Sequence, residues 1–195
     1  NISNVQLCLI KEFEIYDTVE LNINNLKLDI ASARKENYEA PGLNPIVKHA
    51  NIEEDLKRRD FSINAIAFEF SKRKIYDFFD GIQHIKEKEL HLLHENSIQD
   101  DPSRLIRCAR YASRLGFKIA NKSLQQAQTI IQRWPWSIMK EDTKSRFPPG
   151  IGIRIRMELA ETYKYDNLVE IVALLNEWKV IAVLNKNIVV NNQFL

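Results

Sequence analysis

The sequence predicts an α+β protein in which strands come first and helices second. Three observations carry that expectation: alternating apolar runs around turn residues before Gly81, a well-signalled amphipathic helix near Pro102, and almost no strand pattern beyond it. The 195 residues, 45% apolar and 28% charged, suffice for one ordinary core or two small ones.

The elements follow in chain order. From Thr18 to Arg34, VELNI, Asn24-Asn25 and LKLDIASAR read as a hairpin around a turn pair, with Asp29 on its second strand. EAPGLNP, Glu39 to Pro45, concentrates Pro and Gly and reads as loop. A short helix is expected over Ile52 to Lys57, then a further segment through Phe61 to Ala65. AIAFEF and KIYDFF flank Ser71-Lys72-Arg73-Lys74 and suggest a second hairpin. After Gly81 the character changes, and from Pro102 on strand signals almost vanish until a weak IVV near Ile188.

The helix starting near Pro102 has the clearest signals. Asp100 or Asp101 can accept the free amide hydrogens of its first turn, and Pro suits the first helical position because it has no amide hydrogen to leave unpaired. At about 100° per residue, Leu105, Cys108, Ala109, Ala112 and Leu115 gather on one side and Arg104, Arg107, Arg110 and Arg114 on the other. Gly116 is placed to stop the helix. Another helix is expected over about Lys122 to Arg133, ending before Trp134-Pro135-Trp136, where core or interface packing is favoured over base stacking. Lys140 to Gly150 reads as a linker, and Ile153 to Tyr163 and Leu168 to Leu184 as helices.

Composition sets further bounds. No apolar run reaches the length of a membrane span, and NISNVQLCLIKEF lacks the order of a secretory signal. The absence of an initial Met favours a truncated sequence. Cys8 and Cys108 give neither a disulfide framework nor a zinc spacing, so a cytoplasmic localisation is expected. A net charge of +2 is too small to argue nucleic-acid binding from the whole chain.

The electrostatic argument is local. Arginines spaced three, three and four apart, with no acid between Pro102 and Lys118, could be a solvated helix side. Exposed helices, however, usually mix signs, and guanidinium groups on one face repel unless an anion sits against them. Triphosphate or an RNA backbone would supply that anion, and Arg suits bidentate phosphate contact.

Two blocks, EDLKRRDFSINAIAF (Glu54 to Phe68) and DDPSRLIRCARYASRLGFKI (Asp100 to Ile119), together resemble the class II tRNA nucleotidyltransferases, the CCA-adding enzymes and their poly(A) polymerase relatives. The resemblance implies an incomplete nucleotidyltransferase (polymerase-β-like) palm followed by helical neck and body regions. Its expected divisions are a partial palm over 1–85, a nucleotide-selecting helical head or neck over 86–139, and the start of an RNA-binding helical body over 140–195.

On that resemblance Asp101 and Arg104 offer hydrogen bonds to the base of the incoming nucleotide, in place of a nucleic-acid template. A carboxylate accepts from an exocyclic amine and a guanidinium donates to ring nitrogen or carbonyl oxygen, each bidentate contact contributing about 1 to 3 kcal/mol of discrimination. The plainer reading of Asp101 is a helix cap. Arg59, Arg107 and Arg110 match family positions that contact nucleotide, while Asp60 and Asn64 fit sugar contacts and local structure. Asp29 falls where the family has the third carboxylate of its palm, which implies a catalytic, metal-binding role with Mg2+. Phosphoryl transfer uses ions about 3.5 to 4 Å apart, held by clustered acids.

The sequence departs from the pattern in instructive places. It contains no Asp-x-Asp, and no Gly precedes Gly42. Glu12-Phe13-Glu14 reads as a solvated strand face. In DFFDGIQHIKEKELHLLHE, Phe78 stands where Pro is usual, His84 where an acid is common and His91 where Arg is frequent. His91 and His94, spaced HxxH, read as ordinary surface or packing histidines, since two ligands do not make a zinc site. The implied parent activity is template-independent transfer of CMP and AMP from CTP and ATP to the tRNA 3′ end, with the 195 residues alone expected to be inactive. Alternatives are a poly(A) polymerase, a CC- or A-adding enzyme, or a non-catalytic RNA- or nucleotide-binding remnant.

Overall fold

A computed structural model describes residues 7–133, 149–165, 167–185 and 187–188. Trp134 to Trp136 and all but the last two residues of the expected linker lie outside them.

The first hairpin forms as expected. Strand β2 (Thr18–Ile23) pairs antiparallel with β3 (Leu26–Ala31), and Asn24 and Asn25 make the turn at φ 49° and 70°. Positive φ at both central residues is the two-residue turn whose twist matches paired strands, and Asn tolerates it. Strand β1 (Leu7–Phe13) adds to the other side of β2. Glu12 is exposed on β1, while Glu14 starts a single 3-10 turn, Glu14–Tyr16.

The loop around Gly42 is bracketed by a hairpin the sequence did not suggest, β4 (Arg34–Asn37) with β5 (Ile46–His49). These short strands read RKEN and IVKH, and charge hides their alternation. Helix α1 (Ile52–Lys57) has the expected bounds, with Asn51 Oδ1 accepting from Glu54 N at 2.9 Å. Ser62–Asn64 is a 3-10 turn, and β6 (Ile66–Glu69) pairs with β7 (Lys74–Asp77) as the second hairpin. Helix α2 (Gly81–Glu87) is capped from Asp77, whose carboxylate accepts from Gly81 N at 2.7 Å and Ile82 N at 2.9 Å. Only glycine fits at position 81, because a Cβ there would lie 2.3 Å from the Ser62 carbonyl oxygen.

Strands do not stop at Gly81. Two-residue strands β8 (Glu89–Leu90) and β9 (Lys118–Ile119) pair in parallel, too short to leave a periodic signal. Helix α3 (Ser97–Asp100) leads into α4 (Ser103–Leu115), which Gly116 ends at φ 66°. Helix α5 (Asn121–Ile131) follows, then α6 (Pro149–Tyr165), which begins two residues inside the expected linker. Helix α7 (Leu168–Glu177) ends earlier than expected, at a turn where Lys179 takes φ 59°.

The core sits in the helical half. Phe61, Leu105, Ile106, Cys108 and Ala109 pack with Ile151, Ile171 and Leu175, placing α4 between α6 and α7. Leu105, Cys108, Ala109 and Ala112 are buried as expected, whereas Leu115 is 46% exposed. Burial also reaches the arginine side: Arg104 is 6% and Arg110 8% exposed, and only Arg114, towards the helix end, is on the surface.

Candidate functional site

The side chains at the start of α4 face a cleft of about 570 Å³. One wall holds Asp101, Arg104, Arg107 and Tyr111, and the turn after α1 adds Arg58, Arg59, Asp60 and Asn64. Tyr16, Glu36, Tyr38 and Pro45 face them from the strand half. Arg59 therefore meets Arg104 and Arg107 on one concave surface, as the resemblance implies.

Asp101 is both cap and cleft residue. Its Oδ1 accepts from Ser103 N at 3.1 Å and Ser103 Oγ at 2.7 Å, fixing the carboxylate at the N-terminus of α4. Asp100 takes a different role. Burial, joined by the nearby Asp101 and Glu36 charges and opposed by Arg104, pushes its pKa up to about 6. The half-buried His94 has its pKa lowered to about 4, by partial burial first and then by the Arg104 and Lys57 charges.

Arg104 is the informative group. Its guanidinium donates to Ser97 Oγ at 2.8 Å and the Arg58 carbonyl at 3.0 Å, with His94 Nε2 at 3.5 Å. All three are neutral acceptors, and no ion pair to Arg104 exists among the described residues. Asp100 acts on this guanidinium through space without pairing with it, so an electron-rich ligand in the cleft would find a charged donor already in place.

The other arginines correct an expectation. Much of the anion against them belongs to the protein: Arg107 Nη1 donates to Asp60 Oδ2 at 2.9 Å and its Nε to Glu158 Oε1 at 2.8 Å. Arg110 Nη1 donates to Glu158 Oε2 at 2.7 Å. Glu158 lies on α6, itself 7% exposed, and bridges two α4 guanidiniums. Arg110 is thereby committed to α6 and does not line the cleft, while Arg107 does both.

Around Arg59 the local and the functional readings coexist. It donates to Asp55 Oδ2 at 3.2 Å and the Asn64 carbonyl at 3.3 Å, yet 43% of its side chain remains exposed in the cleft. Burial raises the Asp55 pKa, but hydrogen bonds from Arg58, Arg34 N and Arg59 outweigh it and hold the carboxyl below its ordinary value. Asp60 Oδ1 accepts from Phe61 N at 2.8 Å and Asn64 Nδ2 at 2.9 Å, making this turn rigid.

Sequence reasoning missed Arg154 and Tyr38. Arg154, on α6, donates to the Gly42 carbonyl at 2.9 Å and Asn44 Oδ1 at 3.3 Å, fastening the loop to the helix. It lies where the family resemblance was only loose, so no motif marked it. Tyr38 donates to Glu36 Oε2 at 3.0 Å, and burial, then the Glu36 charge, keeps its phenol protonated well above the usual range. The Glu36–Tyr38 alternation was readable only once β4 was known.

Asp29 lies elsewhere. It is exposed on β3, opposite Glu20 on β2, and does not line the cleft. Among the described residues, no group of three or more metal-ligating side chains includes it. Two carboxylates on a strand face do not make the clustered set two magnesium ions require, so the residues described do not fit that centre.

Comparison with known proteins agrees with the two blocks. Residues 3–91 match the poly A polymerase head domain. The chain is 37% identical over 171 residues to an A-adding tRNA nucleotidyltransferase of Aquifex aeolicus, a match covering 82% of this chain and 20% of the relative. It is 39% identical over 136 residues to a CC-adding tRNA nucleotidyltransferase of Deinococcus radiodurans, covering 68% and 33%. A solved CCA-adding enzyme, apo form II, superposes with TM-score 0.75 at 28% identity, over 97% of this chain and 42% of that one. A tRNA nucleotidyltransferase solved with a primer tRNA and an incoming ATP analog superposes with TM-score 0.71 at 29% identity, over 97% and 49%. This chain thus spans 20% to 33% of those two curated relatives and less than half of either structure. On the head-domain match, these relatives and the shared α+β fold, the chain belongs to the tRNA nucleotidyltransferase and poly(A) polymerase family.

Proposed function

We propose that this chain supplies the nucleotide-selecting part of a tRNA nucleotidyltransferase, which transfers CMP and AMP from CTP and ATP to the tRNA 3′ end without a nucleic-acid template. The observation that carries this reading is the buried Arg104 guanidinium, held by neutral acceptors only, beside Asp101 in an open cleft. A base with an exocyclic amine next to a ring acceptor, as in cytosine and adenine, satisfies both groups, whereas uracil and guanine present the reverse order. Arg59 and Arg107 add charge for the phosphates. Arg110 acts through Glu158, as a positioning residue.

The division of labour places a partial palm at 1–85, the selecting helices at 86–139 and the start of a tRNA-binding body at 140–195. The head-domain match over residues 3–91 supports the first boundary. Asp29 remains a proposed catalytic and metal ligand. Mg2+, when bound with the full set of acids, would supply charge neutralisation for phosphoryl transfer, and no step is assigned to it on the residues described. A cytoplasmic location is part of the proposal, supported by two free cysteines, Cys8 and Cys108. No described helix is long and apolar enough to cross a membrane.

Addition of A alone is the second reading, favoured by the 82% of this chain that aligns with an A-adding relative. Photolabelling with an azido-ATP tests the site common to both readings. Label on peptides containing Tyr38, Arg59 or Tyr111, displaced by ATP, is expected. Label spread over the exposed strands, or not displaced, would contradict the proposal.

A further inference from the structure

His84 on α2 and His91 just beyond β8 are seven positions apart, yet their rings stack with centroids 3.6 Å apart and planes 13° from parallel. Glu87, three residues along α2, brings a carboxylate to the same place. One ligand atom from each of the three lies within 4.8 Å of the other two. His94, the other half of the HxxH spacing, instead lies by Arg104 and Asp100.

A second observation concerns the far side of each ring. His91 Nε2 meets Glu89 Oε2 at 2.8 Å, and because a carboxylate only accepts, this nitrogen carries the proton. His84 Nδ1 meets Ser62 Oγ at 2.8 Å, a hydroxyl that can accept in the same way. In both rings the opposite nitrogen is then bare. Metal-ligating histidines are arranged like this, with an outer partner fixing the tautomer and orienting the ring. Among the described residues, Glu87 receives a hydrogen bond only from the Gln83 amide at 2.7 Å, so its charge is not neutralised by a cation.

We propose that His84, Glu87 and His91 bind one divalent transition-metal ion, with zinc the best fit. Two imidazoles and a carboxylate suit a borderline cation, and water would complete a tetrahedron. Magnesium, which prefers oxygen ligands, is not expected there. Bond lengths of about 2.0 to 2.2 Å require the donors to draw closer and the stacked rings to open, which exposed Glu87 and the half-buried histidines permit. The ion would fasten α2 to the chain after β8 and to the turn Ser62–Asn64. Ser62 N already donates to the His91 carbonyl at 3.0 Å, and Asn64 lines the cleft. The site is independent of the nucleotide reading.

The test uses the 195-residue chain, free of any affinity tag and stripped with chelator, titrated with Zn2+ by calorimetry. The four histidines are followed by imidazole nitrogen NMR. One Zn2+ per chain is expected, with ring shifts at His84 and His91 and none at His49 or His94. His84→Gln and His91→Gln should each weaken binding by about tenfold or more, and the outer-partner variant Glu89→Gln by roughly 10- to 100-fold. His94→Gln should bind as the parent does. Absence of saturable binding, shifts confined to His49 or His94, or equal affinity in a His84→Gln/His91→Gln double variant would overturn the proposal. The NMR readout on the unaltered chain keeps it decidable if a variant misfolds.

Discussion

Arg154 Nε lies 3.2 Å from Asp101 Oδ1, close enough for charge pairing, yet it is not aligned for a hydrogen bond and has no other acceptor among the described residues. The guanidinium is oriented by its terminal nitrogens, which hold Gly42 and Asn44, so its charge reaches Asp101 while its Nε–H is left over. A group fixed by the loop and misaligned with the carboxylate acts as a strut between them.

Arg154→Ala should therefore loosen the loop more than it destabilises the protein. The expected cost is about 1 kcal/mol, because the lost bonds are charge-assisted but partly exposed. Faster amide exchange at residues 42–44 with little change elsewhere would agree. Unchanged exchange there would contradict the strut.

Glu158 should matter far more. It is buried and faces two guanidiniums, so Glu158→Ala leaves Arg107 and Arg110 short of their shared counter-charge. Loss of one partner of a buried ion pair costs about 3 to 5 kcal/mol. Urea denaturation should show a loss of that order, and a change below about 1 kcal/mol would mean that the α4–α6 junction has been misread.

Asp100 gives a pH dependence of definite sign. Its folded pKa of about 6 lies above the usual 3.8, so the folded state binds this proton more tightly than the unfolded one. The group therefore penalises folding above about pH 6, and the penalty disappears as pH falls below 3.8. Asp100→Asn should stabilise the chain at pH 7, on the order of 1 kcal/mol, with the advantage shrinking by pH 4. His94 titrates in both proteins over this range, so the comparison is made as a difference between them. An advantage that grows on acidification would refute the assignment.

Transfer by this chain alone should be absent. Exposed Asp29 stands opposite half-buried Glu20, without the clustered acids two metal ions need among the described residues. Labelled CTP and ATP incubated with Mg2+ and a tRNA lacking its 3′ end should stay unincorporated. Turnover of about 1 per second or faster would show that the catalytic acids have been missed.

Much of this was legible from residue order. Asn24-Asn25 announced its turn and Gly116 its helix end, because both positions demand a positive φ that few residues accept. Arg59 and Arg104 were placed together by the family blocks, not by periodicity. What stayed hidden was pairing at a distance. Nothing near Arg110 says that its anion is Glu158, forty-eight positions away. The β8–β9 ladder is two residues long and leaves no period to detect. The Asp101 reading illustrates the overlap: its Oδ1 caps α4, and that same bond aims the carboxylate at the cleft.

The central claim is that Asp101 and Arg104 read a base edge, and equilibrium binding of the four ribonucleoside triphosphates to the 195-residue chain tests it most directly. CTP and ATP, or ATP alone if only A is added, should bind more tightly than UTP and GTP. Arg104→Ala should lower that preference by about 1 to 3 kcal/mol while leaving the weak, salt-dependent phosphate binding in place. Equal affinity for all four nucleotides, or a preference that survives Arg104→Ala unchanged, would contradict the account.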